Sequence, residues 1–418
     1  MRFKMGLTVI VFLLFTSVAL AQEPVAAPPG FASWEDVLAQ ANGQTVNWYM
    51  YGGSDAINGF VDTFYGPLLA AEYGITLNRV PVADTVDAVN QVLSEAEAGV
   101  AENAGAVDLI WINGENFYTL RQANLLYGPW AQTIPNSVLV DWENPAINLD
   151  FGRPVDGYES PWSSAQFHFI YDSARIAEED LPRNFAELTA WIQANPGRFT
   201  YIAPGPGGYM GTRFVKQLFF EISGGHDQWL GDFNPVLYEE WAPQVWNMLN
   251  EWTPNLWRQG ETYPANENEL RDLFANGEVD FAFTQDISGA SVYINDGRLP
   301  ETARAFAFTD NMIGDFNYVA IPFNAAHKAA ALVLANLILR PDLQAAHVLP
   351  ENGFGLGFGI DVSRVTEEPD RLVLEEAAAN LGVGAADPAE LAEALVSDLA
   401  AEYQTRVEAD WEANVLRQ

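Results

Sequence analysis

A chain of 418 residues with 49% hydrophobic and 13% aromatic content has material for two packed domains and is not a disordered chain. Its 56 acidic against 20 basic residues give a formal charge of −36; that field repels nucleic acid and anionic membrane surfaces, which argues strongly against either as a partner. With no cysteine the core is held without disulfides, and the acylated-cysteine anchor of a lipoprotein is excluded.

Residues 1–21 have the layout of a cleavable export signal: Arg2 and Lys4, an apolar run at 7–15, then Ala19-Leu20-Ala21 before Gln22. The run is short of the roughly 20 residues a membrane helix needs. Export, most simply to a bacterial periplasm, removes the protein from the supply of ATP and NAD(P)H. Residues 22–30 are rich in Pro and Ala and read as a leader. Three β-branched and aromatic runs follow at 45–51, 74–80 and 107–112, stopping at Gly52-Gly53, after Val80 and at Asn113-Gly114. Helical patterns occupy 56–69, 85–99 and 117–125, with Val86, Val89, Val92 and Leu93 at helical spacing in the second. Strands alternating with helices predict βαβ units and a mostly parallel sheet.

Beyond Ser160-Pro161-Trp162 a strand is predicted at 166–171, and a second α/β run begins. A helix at 184–193 opens with Asn184 and Glu187 at capping-box spacing. A strand at 198–203, a Gly-rich loop and a helix at 212–222 come next. Then follow a helix at 266–275, strands at 279–284 and 316–322, and a helix at 327–339 ended by Arg340-Pro341. The remainder is Ala- and Glu-rich, with a helix predicted over 388–403 from Pro388 in its first turn.

Ligands of open α/β sheets sit beyond the carboxyl ends of the strands. Gly52-Gly53-Ser54-Asp55 and Asn113-Gly114-Glu115-Asn116 have that position; each also suits an ordinary helix cap. Trp162 suits stacking on a planar or cationic ligand, or simple burial. The loop 204–212, with Tyr209, Gly211 and Thr212 at its end, suits an anion on backbone N–H groups; it lacks the Gly-Lys-Ser/Thr ending of a nucleotide loop.

In this order the pieces resemble a two-lobed solute-binding protein of bacterial ABC importers, and within that group the YnjB-type subgroup. The resemblance is carried by 52–58, 113–117, 159–162, 256–260, 274–280, 319–322, 329–331 and 339–342. It implies the α/β fold of type II periplasmic binding proteins, each lobe a mostly parallel sheet flanked by helices, the lobes joined by crossing strands. Lobe 1 is then 31–161 plus 289–341, lobe 2 is 162–288, and 342–418 are helices packed on the lobes, with crossings near 162–172 and 284–288. A small solute would bind between the lobes of a monomer, for delivery to an inner-membrane permease and its ATPase. No catalytic residue, metal or cofactor is implied. By position, Gly53, Ser54, Asp55, Asn113, Glu115, Trp162, Tyr209, Gly211 and Thr212 would face the cleft. The second crossing reads Thr284-Gln285-Asp286 where the family pattern has Asn-Pro after the Thr. Asp55, Glu115 and Asp286 beside Trp162 and Tyr209 suit an organic cation, thiamine- or polyamine-like, whereas the Gly-rich loop suits an anion, and a zwitterion or phosphorylated cation would use both. The alternative from another class is a secreted hydrolase with a carboxylate pair. Against it stand the absence of H-E-x-x-H and G-x-S-x-G and the scatter of His168, His226, His327 and His347.

Overall fold

Val46, Trp48 and Met50 are fully buried and alternate with more exposed neighbours, the period of a strand with one face on a core. In the computed structural model, which describes residues 26–205, 207–352 and 355–417, this run is β1 (Thr45–Tyr51). The export signal expected at 1–21 lies outside the described residues. Ser54 caps α1 (Asp55–Phe60), accepting from Ile57 N. β2 (Thr76–Val82) pairs parallel with β1 over its whole length. Asp84 caps α2 (Thr85–Glu97). β3 (Leu109–Ile112) pairs parallel with the other edge of β1 and leads to α3 (Glu115–Gln122). The expected βαβ frame of the first lobe is present.

β4 (Glu159–Gln166) runs on almost directly into β5 (His168–Asp172), and the chain changes sheets at Phe167. Then come α4 (Phe185–Ala194), capped by Asn184, α5 (Tyr209–Ser223), α6 (Pro235–Trp252) and α7 (Glu267–Ala275). β6 (Phe281–Thr284), α8 (Gly289–Asn295), β7 (Ala303–Phe306) and the long β8 (Met312–Ala320) follow. α9 (Lys328–Ile338) is buried from Ala329 to Ile338 in the first lobe. No single helix among the described residues is long and apolar enough to cross a membrane. The chain closes with β9 (Gly357–Phe358), α10 (Pro388–Ala394), β10 (Leu395–Ser397) and α11 (Ala401–Trp411).

The large sheet has the order β9-β4-β8-β3-β1-β2, with β10 parallel to β8. Its β1–β3 part is parallel, while β8 is antiparallel to both β3 and β4. The small sheet is β6-β5-β7, and both of its pairings are antiparallel. A mostly parallel sheet was expected there. The predicted strand at 198–203 forms no ladder; Arg198, Phe199 and Ala203 instead share single backbone bonds with Asp280, Trp257 and Pro264. Around this sheet Phe167, Phe169, Phe214 and Phe283 interlock at ring distances of 4.9–6.1 Å, which makes the second core largely aromatic.

The return crossing also differs from the expected one at 284–288. Gln285 touches the crossing, since its carbonyl accepts from Gln166 N at 3.0 Å. The chain then turns back through α8 and adds β7 to β5 before β8 enters the large sheet. The passage between lobes is therefore at 307–311, and 289–306 lies with the second lobe, not the first. The C-terminal part is not purely helical either. The predicted helix at 388–403 breaks at Leu395, where β10 takes the free edge of β8.

Candidate functional site

A cleft of about 630 Å³ opens where the two sheets meet. Its first-lobe wall consists of the ends of the parallel strands: Tyr51, Ser54 and Asp55 after β1, Asp84 and Thr85 after β2, Trp111 and Asn113 at β3. The floor is Ala165 of β4 with Asp315 and Asn317 of β8. Opposite are Tyr209, which opens α5, Gln285 and Asp286 after β6, and Tyr293, Asp296 and Arg298 on and just after α8.

Of the residues expected to face the cleft, Ser54, Asp55, Asn113, Tyr209 and Asp286 do so. Trp162 does not. It is fully buried, edge-on to Trp48 at 5.2 Å and to Trp111 at 5.1 Å, so it supports the cleft tryptophan from behind. Trp162 is the residue skipped where the register of β4 against β8 shifts between Asn317 and Tyr318, so its direction is set by this bulge in the sheet, not by local composition. Glu115 is exposed in the first turn of α3 and off the cleft. Gly53 does not line the cleft; a Cβ there would fall 2.0 Å from the Tyr51 hydroxyl, so the glycine makes room for that ring. Gly211 is a packing residue: a Cβ would lie 2.0 Å from the Ile202 carbonyl oxygen, where α5 presses on 199–203. Thr212 is buried and donates to Glu408 Oε1 at 2.9 Å.

Three amides at the start of α5 and just before it bond locally. Gly208 N donates to Gly205 O, and Gly211 N and Thr212 N both donate to Gly208 O. Those three N–H groups are engaged within the segment, and Tyr209 is the residue it adds to the cleft lining.

Tyr51, Asp84, Trp111, Tyr293, Asp296, Arg298, Asp315 and Asn317 complete the wall, and sequence reading missed them. Two had a usable signal. Trp111 shares its strand face with Asn113 by the period of two, and Asp84 ends β2 as Ser54 and Asp55 end β1. Arg298 had none, because its place depends on the late return crossing.

The polar contacts order this wall. Trp111 Nε1 donates to Asn317 Oδ1 at 3.1 Å, and Asn317 Nδ2 to Ser163 Oγ at 3.0 Å. Beneath the floor lies a buried charge cluster. Arg213 ion-pairs with Asp315 and, at 3.5 Å, with Asp398; it donates to Gln285 Oε1 at 3.2 Å and lies 4.6 Å from the Tyr209 ring centre. Lys216 pairs with Asp398. Burial acts against the Asp398 charge, yet Lys216 and Arg213 hold its carboxyl below the usual range. Burial wins at Asp315 and raises it, and it pushes the Tyr209 phenol well up, so that hydroxyl stays protonated. Asp286 is raised by burial to about 6 and Glu267, nearby on α7, to about 7.

Residues 67–353 match the family of bacterial extracellular solute-binding proteins. The chain belongs to this family. It is 36% identical to the protein YnjB of Escherichia coli K12 over 313 residues, 75% of this chain and 79% of that one. Solved structures share the fold. The spermidine/putrescine substrate-binding protein PotD of Streptococcus pneumoniae matches with a TM-score of 0.57 at 14% identity, over 89% of this chain and 99% of that one. AfuA of Actinobacillus pleuropneumoniae, solved with fructose-6-phosphate, matches with 0.54 at 12% identity, over 90% and 99%. This solute-binding protein thus has the type II periplasmic-binding-protein fold, its family is one of solute binders and not of enzymes, and the hydrolase alternative is set aside.

Proposed function

We propose that the protein is the periplasmic receptor of an importer, acts as a monomer, and takes an organic cation into the cleft between its lobes for handover to the permease. One observation carries the choice of charge. Among the described residues, Asp55, Asp84, Asp286 and Asp296 all line the cleft and none is ion-paired, whereas Asp315 is matched by Arg213. Unpaired carboxylates at a cleft wall attract a cation, and Tyr51, Trp111, Tyr209 and Tyr293 add ring faces for cation–π contact or stacking. The polyamine named for PotD agrees with this class.

The test is calorimetric titration of the mature protein with spermidine and with thiamine, alongside a neutral sugar. A cation should bind and the sugar should not. Asp286→Asn should weaken the cation by about tenfold or more, the scale of one lost charge-assisted contact. Binding of the sugar alone would discard the reading. Because Asp286 takes up a proton near pH 6, the cation's affinity should fall between pH 7 and pH 5; a flat profile would show that Asp286 carries none of the attraction.

A further inference from the structure

Basic groups are scarce in this chain, 20 against 56 acids, and most described arginines are tied to a carboxylate. Arg298 and Arg271 are not: neither is within ion-pair distance of a carboxylate among the described residues. Arg298 lines the second-lobe wall of the cleft, and Arg271 is buried behind it against the same Asn268 and Tyr293.

Arg298 is placed by backbone. α8 ends in a Schellman turn with Gly297 at φ +68°; Gly297 N donates to Ile294 O at 3.0 Å and Arg298 N to Tyr293 O at 2.8 Å. The turn delivers Arg298 to the cleft wall. Its guanidinium then meets neutral supports: Nη2 donates to Asn268 Oδ1 at 3.3 Å, and the Tyr293 ring centre lies 5.1 Å away. Arg271, only 4% exposed, uses the same two groups, donating to Asn268 Oδ1 at 2.8 Å and lying 3.6 Å from the Tyr293 ring centre. Its buried Nε has no acceptor. An amide oxygen and a ring orient a guanidinium without cancelling its charge, as a carboxylate would. Glu267 and Asp286 face Arg271 beyond ion-pair range, and burial raises both, Glu267 to about 7, which thins the negative charge beside it near neutrality.

We propose that the solute carries an anionic oxygen group, a carboxylate or a phosphate, as well as its cationic centre, and that Arg298, backed by Arg271, receives that group while the unpaired aspartates take the cation. This rests on the cation reading above and narrows it to zwitterionic or phosphorylated amines.

The test uses matched probes that differ by the anionic group: putrescine against 4-aminobutyrate for carboxylate, thiamine against thiamine monophosphate for phosphate. Affinities are measured by calorimetry, and the solute released from protein purified from its native host is identified by mass spectrometry. In one pair the anion-bearing member should bind at least about tenfold tighter, and the pair that shows the gain names the group. In Arg298→Gln that ratio should collapse toward one, and in Arg298→Lys it should be partly kept. Equal or tighter binding of the plain cation in both pairs, or release of a cation with no carboxylate or phosphate, overturns the inference and leaves the cation reading standing. Release of a purely anionic solute sinks the cation reading instead. If no probe binds and no anion-bearing amine is released, both fall.

Discussion

Trp111 and Trp162 touch edge to edge, yet they do different work. Trp162 is sealed between Trp48 and Trp111, and Trp162→Ala would empty a site with no solvent beside it, at a cost of about 3–5 kcal/mol. The expected result is a lowered urea midpoint, with binding lost only as far as the fold is. Trp111→Ala removes a ring on the cleft wall, so weaker solute binding with a smaller loss of stability is expected. If Trp162→Ala kept full stability and lost binding alone, the assignment would be reversed. This pair also marks how far single residues were legible. Ser54, Asp55 and Asn113 were readable because they end strands, a place where ligands gather whatever the partner elements do. Trp162, Gly211 and Thr212 lie inside a strand or helix, and which way such a residue points is settled by what packs against it.

Among the elements, the C-terminal segment was the least legible. Its Ala- and Glu-rich composition favours helix, and α10 and α11 are helical, but Leu395–Ser397 between them are captured by the edge of β8. A strand edge in need of backbone partners outweighs a propensity of a few tenths of a kcal/mol per residue. The capture sets Asp398 against Lys216 and Arg213 under the cleft floor. Removing one member of a buried ionic cluster leaves uncompensated charge, so Asp398→Ala should destabilise by about 3–5 kcal/mol. Since Arg213 would then keep Asp315 as its one carboxylate partner among the described residues, solute affinity should fall as well. Replacing Lys216 and Asp398 together with apolar residues should restore much of the stability. A double variant as unstable as Asp398→Ala would show that shape, not charge, is what the cluster supplies. The first lobe's βαβ units, by contrast, are local in sequence and were readable. The return crossing was not, because the antiparallel pairing of Ala303–Phe306 with Phe169–Asp172 joins segments far apart in the chain.

For the whole molecule, excess negative charge and buried carboxyls fix the response to the medium. Burial raises Asp150 and Glu159 well above the usual range, Glu267 to about 7 and Asp286 to about 6. From pH 8 to 6.5 Glu267 and, in part, Asp286 take up protons in the fold while the unfolded carboxyls stay ionised, so stability rises on acidification, by about 1.4 kcal/mol per pH unit for each proton the fold binds in excess of the unfolded chain. Below pH 6.5 the gain per pH unit shrinks, because His168 and His347, held by burial at about 4 and about 3, remain neutral in the fold but charge in the unfolded chain and offset part of the carboxyl protonation. A melting temperature higher at pH 6.5 than at pH 8 is the expected result. With a formal charge of −36, moderate salt should raise it further by screening self-repulsion, and a drop in salt would point to surface ion pairs instead. The row of indoles from Trp48 through Trp162 to Trp111 gives the molecule an optical reporter. Two of its members are sealed from water, and the third lines the cleft. When the lobes close over a solute, emission from Trp111 should move toward the blue, and in Trp111→Phe that colour change should vanish, so occupancy can be followed without labelling either the protein or its cargo.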